Sequence, residues 1–167
     1  MKRFSVSHLV VGVLPMLILG CAQQSQLPAV AEEPVRISYS VGPCYGTCPV
    51  YQVAIEADGA TFFNGERHTQ VDGPRQLSNQ ADTFLAVQSQ LEQWRPAMGA
   101  TRETADCEAR ASDLPRYTVI WTSESFSQAV LEHDTGCRGD NPGQLTETLK
   151  SLDSLLGVDA WVGSAGR

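Results

Sequence analysis

The sequence predicts an α+β fold in which one antiparallel sheet of about five to six strands carries two helices packed on one face. The first reason is a series of short segments that alternate apolar and polar residues, a pattern typical of half-buried strands. The second is that short turns join neighbouring segments, and strands joined in this way must pair antiparallel. The third is the order of elements, in which strands, a helix, two strands and a final helix follow one another.

The first part of the domain is predicted to contain four strands. Alternation places the apolar side chains of the first two segments on one face, where a second layer can cover them. Asp58-Gly59 predicts a hairpin turn, because glycine takes a positive φ without steric cost. Asn64-Gly65 predicts the turn that ends the return strand. The predicted strands are 35–41, 50–56, 61–63 and a short fourth strand at 67–71.

Two helices are predicted from apolar spacing and from their end signals. The first is expected over residues 78–94, with Ser78 as its cap. The second is expected between the cap Asn141 and the terminator Gly157. Its apolar stripe predicts packing on the sheet and consists of Leu145, Leu149, Leu152 and Leu156.

The chain between the helices is predicted to be an irregular segment followed by a hairpin. Residues 97–115 show neither strand nor helix periodicity. Residues 117–122 and 126–131 alternate in the manner of strands and flank a polar turn.

The N-terminus predicts an exported protein that is held at a membrane. Residues 1–20 have the positive start and apolar run of a signal peptide. Ile18-Leu19-Gly20-Cys21 resembles the bacterial lipobox, whose cysteine is acylated, and an ordinary secretory signal cleaved nearby is the alternative. More than one acyl chain makes membrane anchoring stable. Ala22 after the cysteine favours the outer membrane, facing the periplasm, if the cell has two membranes.

The remainder of the chain predicts a tether and one acidic domain. Residues 21–34 are polar and contain proline, which indicates a lipidated N-terminus and flexible tether, and residues 35–163 are predicted to form a single globular domain. Two of the 12 basic residues precede position 20 and all 19 acidic residues follow it, so the part after position 20 has a formal net charge of −9. A negative domain without a basic cluster has no footprint for nucleic acid, so the expected membrane contact is through the acyl chains.

Four cysteines remain after Cys21, and in an exported domain they predict disulfides. Three pairings are open. Chain entropy favours the larger rings, whereas loop geometry favours Cys44 with Cys48 around Gly46, and Cys107 with Cys137 across the second hairpin. We prefer the local pairing, because a bridge must first be geometrically able to form.

The chemistry-bearing residues predict no catalytic site, cofactor or metal. Thiol–disulfide exchange through Cys44 and Cys48 is an alternative, although the spacing is one residue longer than in the usual redox motif and a strand follows instead of a helix. A metal site made of the four thiols with His68 or His133 is a second alternative, but the default for both histidines is a solvated edge or loop position. Tyr45, between the first two cysteines, is the candidate contact residue.

The run Cys-Tyr-Gly-Thr-Cys-Pro-Val-Tyr from Cys44 to Tyr51, followed by Ile55, Asp58-Gly59 and Gly65, resembles the domain of unknown function 6438 family. The resemblance extends over residues 35–157 and implies a bacterial exported protein, often a lipoprotein. It implies no activity, cofactor or catalytic residue. The opening cysteine pair occurs in members without equivalents of Cys107 and Cys137, which agrees with the local pairing.

The expected function is that of a membrane-anchored bacterial envelope lipoprotein with a non-enzymatic binding or structural domain and an unidentified envelope protein as partner. The alternative is a thiol–disulfide redox protein that acts through Cys44 and Cys48.

Overall fold

A seven-stranded mixed sheet is the framework of residues 32–163, the part of the chain that this structure, a computed structural model, describes. The strands are β1 (Pro34–Val41), β2 (Val50–Glu56), β3 (Ala60–Arg67), β4 (Gly73–Ser78), β5 (Thr101–Glu103), β6 (Ala109–Arg110), β7 (Arg116–Ser123), β8 (Gln128–Asp134) and β9 (Cys137–Arg138). The helices are α1 (Ala81–Leu91), which a 3₁₀ turn at Glu92–Trp94 extends, α2 (Asp140–Leu156) and α3 (Asp159–Val162). The order across the sheet is β4-β3-β2-β1-β7-β8-β5, and β6 pairs with β9 in a separate ladder.

The predicted α+β class is confirmed, and the finer prediction of a wholly antiparallel sheet is roughly right. Six neighbouring strands pair antiparallel, whereas β5 pairs with β8 in the parallel direction. Residues 104–127, which include β6 and β7, connect β5 to β8, and a connection of this length permits parallel pairing. The three residues of β5 are all exposed, so they carry no alternation that periodicity could detect.

The fourth strand was predicted too early in the chain. β3 continues through Asn64-Gly65 to Arg67, and β4 begins only at Gly73. Gly65 is required for close packing instead of a turn, because a Cβ there would lie 2.1 Å from the carbonyl oxygen of Val71. Ser78 is therefore the last residue of β4, and Gln80 takes the cap position of α1.

The core lies between one face of the sheet and the helices. Alternating residues of the central strands, among them Ile37, Val53 and Val119, are buried there. The leucine stripe predicted for the second helix is buried at all four positions, and α2 ends at Gly157 as predicted. The helical layer holds the end of α2 over the strands, which creates the cavity described below.

His133 links β8 to the helical layer and is fully buried. Its Nδ1 lies 2.7 Å from Thr104 Oγ1, and its Nε2 lies 2.7 Å from Thr146 Oγ1 on α2. The expected solvated position is therefore wrong for His133, whereas His68 is exposed. Burial lowers the pKa of His133 to about 4, and the nearby Asp134 carboxylate opposes this shift only in part.

We expect His133 to make the domain less stable in mild acid. The unfolded chain binds the proton below pH ~6.5, while the folded ring resists protonation until its pKa of about 4 is reached. The free energy of unfolding should therefore fall by about 2 kcal/mol between pH 7 and pH 5. Urea denaturation at the two pH values measures this loss.

The variants H133Q and H68Q provide the matched comparison. H133Q removes the titrating ring but keeps an amide that can bond both threonines, so most of the loss should disappear. H68Q alters an exposed position, so this variant should lose as much stability between pH 7 and pH 5 as the unmodified protein does. Equal stability of the unmodified protein at both pH values would contradict this assignment.

Candidate binding site at the disulfide end of the sheet

The first disulfide closes the loop between β1 and β2. Cys44 and Cys48 are bridged with their Cα atoms 5.7 Å apart, and Gly46 has a φ of +131°. The backbone N–H of Tyr45 donates to the carbonyl oxygen of Asp113 at 3.1 Å, which fastens the loop to the segment before β7. The side chain of Tyr45 is 89% exposed, as a contact residue at a loop tip would be.

The second disulfide joins the segment after β5 to β9, the short strand that comes just before α2. Cys107 and Cys137 are bridged with their Cα atoms 5.0 Å apart, beside the pairing of β6 with β9. Both bridges follow the pairing that loop geometry favoured over ring entropy. All four sulfurs are in disulfides in this structure, so none of them is a free thiolate.

A cavity of about 400 Å³ lies beside the first disulfide, and we call it the disulfide-end cavity. Cys48, Pro49 and Tyr51 from the sequence motif form part of its wall. The strand residues that line it come from one end of the sheet, since Val41 is the last residue of β1 and Tyr117 is the second residue of β7. The remaining wall comes from the segment before β7, from β9 and from the side of α2 and α3 that faces this end.

A tyrosine–aspartate cluster lies at the inner wall of the cavity. The Tyr39 hydroxyl donates to Asp153 Oδ1 at 2.6 Å, and the Tyr51 hydroxyl donates to Asp153 Oδ2 at 2.7 Å. The two rings are edge-on at a centroid distance of 6.3 Å, and Tyr117 lies 6.5 Å from Tyr39. β1 and β2 bring the two phenols together because Tyr39 pairs with Val53 and Val41 with Tyr51, which makes the tyrosines diagonal neighbours.

The phenols of the cluster act as hydrogen-bond donors. Burial, and then the Asp153 carboxylate, raise the pKa of both Tyr39 and Tyr51 well above its usual value. The same two causes raise the pKa of Tyr117. All three hydroxyls therefore stay protonated at neutral pH and cannot serve as bases or nucleophiles there. The arrangement orients the half-buried carboxylate of Asp153 at the cavity wall.

The cavity offers charge of both signs together with apolar surface. Arg138 and Lys150 contribute cations, and Asp153 and Asp159 contribute carboxylates. Among residues 32–163, no cluster of three or more histidine, cysteine or acidic side chains is placed to hold a metal ion. The lining is therefore suited to a polar ligand with an apolar portion, held by hydrogen bonds and ion pairs.

The sequence analysis did not find the tyrosine–aspartate cluster. Strand alternation identified Tyr39 and Tyr51 only as residues of the core face, and Asp153 stands next to the buried Leu152 on α2. A usable signal was present, because a buried phenol almost always needs a hydrogen-bond partner. The location of that partner on a helix 102 residues further along the chain depends on the tertiary fold.

Fold and site together define a small α+β domain braced by two disulfides, with a cavity at one end of its sheet. Residues 35–156 match the family described as Domain of unknown function (DUF6438), and the chain belongs to this family. No match to the chain was found among curated proteins. The motif that carried the resemblance thus supplies part of the cavity wall.

The predicted lipid anchor concerns residues that the structure does not describe. The signal peptide at 1–20, the acylated Cys21 and the tether as far as residue 31 lie outside the described range. Within residues 32–163, no helix has the length and apolar character needed to cross a membrane.

We expect D153A to destabilise the domain strongly. The change leaves two buried hydroxyls, those of Tyr39 and Tyr51, without their acceptor. An unsatisfied buried hydroxyl costs about 1–3 kcal/mol, so the free energy of unfolding should fall by roughly 2–5 kcal/mol. Guanidinium denaturation with both disulfides intact measures the loss.

Glu147 on the same helix provides the matched control. It is exposed and pairs only with Lys150, at 3.1 Å, so E147A should change the free energy of unfolding by less than about 0.5 kcal/mol. A D153A protein as stable as E147A would show that the cluster does not hold α2 on the sheet.

Proposed function

We propose that the chain is a membrane-anchored bacterial envelope lipoprotein whose domain binds a ligand without catalysing a reaction. The anchor is the acylated Cys21, and the domain faces the periplasm, from the outer membrane in a cell with two membranes. Support for the anchor comes from the lipobox-like run before Cys21 and from the acidic charge of the rest of the chain. The partner is an envelope molecule and not nucleic acid.

The observation that carries the binding proposal is the disulfide-end cavity. Its volume of about 400 Å³ lies within the range of small-molecule sites, which is roughly 300–1,000 Å³. The motif residues Cys48, Pro49 and Tyr51 line it, so the most distinctive part of the sequence is also the part that shapes the cavity. Tyr45 is exposed next to it, since its backbone bonds Asp113 and the following residue, Leu114, lines the cavity.

The chemistry of the cavity favours binding over catalysis. Its tyrosines are held protonated by the raised pKa of each phenol, and Cys48 is in a disulfide. His133 lies behind the wall, fully buried and bonded on both ring nitrogens. These groups supply shape, hydrogen bonds and charge to a ligand, and none of them is in the state that a nucleophile requires.

Photo-crosslinking in intact host cells tests the binding proposal. A benzophenone amino acid in place of Lys150, at the cavity wall, should form an adduct with the bound molecule on irradiation. The matched control is the same substitution at Gln144, which is exposed on α2 but does not line the cavity. An adduct at Lys150 that is missing at Gln144 supports the proposal, and equal adducts or none at either position refute it.

Thiol–disulfide exchange through Cys44 and Cys48 is the second candidate function. The observation in its favour is that both cysteines of this bridge are partly exposed, whereas Cys137 of the other bridge is 2% exposed. An exchange-active bridge should open in millimolar glutathione and become labelled by a thiol reagent, while Cys107 and Cys137 stay unlabelled. A first bridge that resists glutathione would exclude the redox function.

A further inference from the structure

The hairpin between β7 and β8 has an unusual residue at its tip. The N–H of Phe126 donates to the carbonyl oxygen of Ser123 at 3.0 Å. The N–H of Ser123 in turn donates to the carbonyl oxygen of Ser127, also at 3.0 Å. These two bonds enclose a three-residue loop whose last residue takes a left-handed conformation, and Phe126 has a φ of +64°. Glycine or asparagine is the usual choice at such a position, because a bulky side chain is strained there.

Phe126 obtains no packing from the domain in return for this strain. Its side chain is 86% exposed. Phe126 is therefore unfavourable in two respects. Its backbone conformation is strained, and its apolar side chain faces water. Strained positions of this kind cluster at functional sites, so a contact made by the side chain with another molecule is worth testing here.

The hairpin tip lies where the N-terminal segment leaves the domain. β1 begins beside it, since Pro34 pairs with Ser123. The carboxylate of Glu32 accepts hydrogen bonds from the hydroxyl of Ser123 at 2.7 Å and from that of Ser125. The first residue that the structure describes is therefore fastened to the same hairpin that carries Phe126.

The length of chain before this point keeps the tip close to the anchor. Ten residues, 22–31, separate the proposed acylation site at Cys21 from Glu32. Even a fully extended chain of this length spans at most about 40 Å. Leu85 on α1 adds a second exposed apolar side chain near this point, with 58% of its surface exposed. It lies one helical turn before Gln88, and the side chain of Gln88 donates to Glu33 at 2.9 Å.

We propose that the β7–β8 hairpin tip docks on the lipid surface that holds the anchor, with Phe126 inserted at the interface. This inference rests on the acylated Cys21 of the proposed function. Glu124 lies in the tip and Glu32 is bonded to it, and these carboxylates repel anionic headgroups, so the surface is a zwitterionic phospholipid. One inserted ring binds weakly by itself, but the acyl chains hold it at a high local concentration, and the ring then sets the orientation.

The docking directs the disulfide-end cavity away from the membrane. The cavity takes its strand residues from the ends opposite the hairpin tip, and the eight residues of β1 span about 26 Å between the two ends. The tip would thus approach the lipid while the cavity stays open to molecules in the aqueous compartment.

Tryptophan fluorescence in lipid vesicles tests the inference. The protein carrying F126W, produced from the full sequence in a bacterial host that acylates lipoproteins, is added to phosphatidylcholine vesicles with brominated acyl chains, which quench only an inserted indole. The unmodified protein gives the background of the three native tryptophans. Y45W is the matched control, because Tyr45 is equally exposed at the opposite end of the sheet.

Sedimentation of the same vesicles separates the two proposals. Loss of F126W fluorescence beyond the background, without such a loss for Y45W, supports the inference. A protein that sediments with the vesicles but shows no quenching at position 126, or equal quenching at both positions, overturns the docking while the anchor stands. A protein that stays in the supernatant, as the variant C21S should, overturns the anchor and with it the inference.

Discussion

The hydrogen bonds from two buried tyrosines to one carboxylate are the constraint on which the arrangement of this domain depends. Tyr39 and Tyr51 stand on adjacent strands, and Asp153 meets both from α2. These two hydrogen bonds fix the position of α2 on the sheet, because each phenol needs an acceptor once water is excluded. Asp153 also lines the disulfide-end cavity, together with residues at the strand ends of β1 and β7. The two disulfides then brace the loops around that opening.

Much of the fold could be predicted because the signals for it are local. β2 has its predicted bounds and α2 ends where it was predicted to end, since strand alternation, a leucine stripe and a terminal glycine act within a few residues. The start of α2 was predicted two residues too late, because Gly139 and not Asn141 takes its cap position. β5 and β4 could not be predicted in the same way. β5 is three exposed residues that become a strand only because β8 offers a free edge, and β4 is exposed at four of its six positions.

The candidate site was predictable only in part, for a related reason. The motif drew attention to Cys44 and Cys48, of which Cys48 lines the cavity, and Tyr45 was correctly expected at an exposed tip. Asp153 was missed because its role depends on two strands more than 100 residues earlier in the chain. His133 was misplaced because a histidine in an alternating segment looks the same in the sequence whether its face is covered or not. The threonines that satisfy its ring come from two other elements.

Asp153 and Phe126 both depart from the preferences expected of their local sequence, and they lead to different conclusions. A carboxylate beside buried tyrosines conflicts with an apolar core, but Asp153 and the phenols satisfy one another, so the domain itself accounts for that departure. Phe126 conflicts with both its backbone conformation and its exposure, and no ring contact or burial within residues 32–163 resolves the conflict. A residue that conflicts with both its backbone conformation and its surroundings is a candidate for a contact outside the domain. The N-terminal segment leaves the domain at that same place, and this is why we infer that the contact made by Phe126 is with a lipid surface.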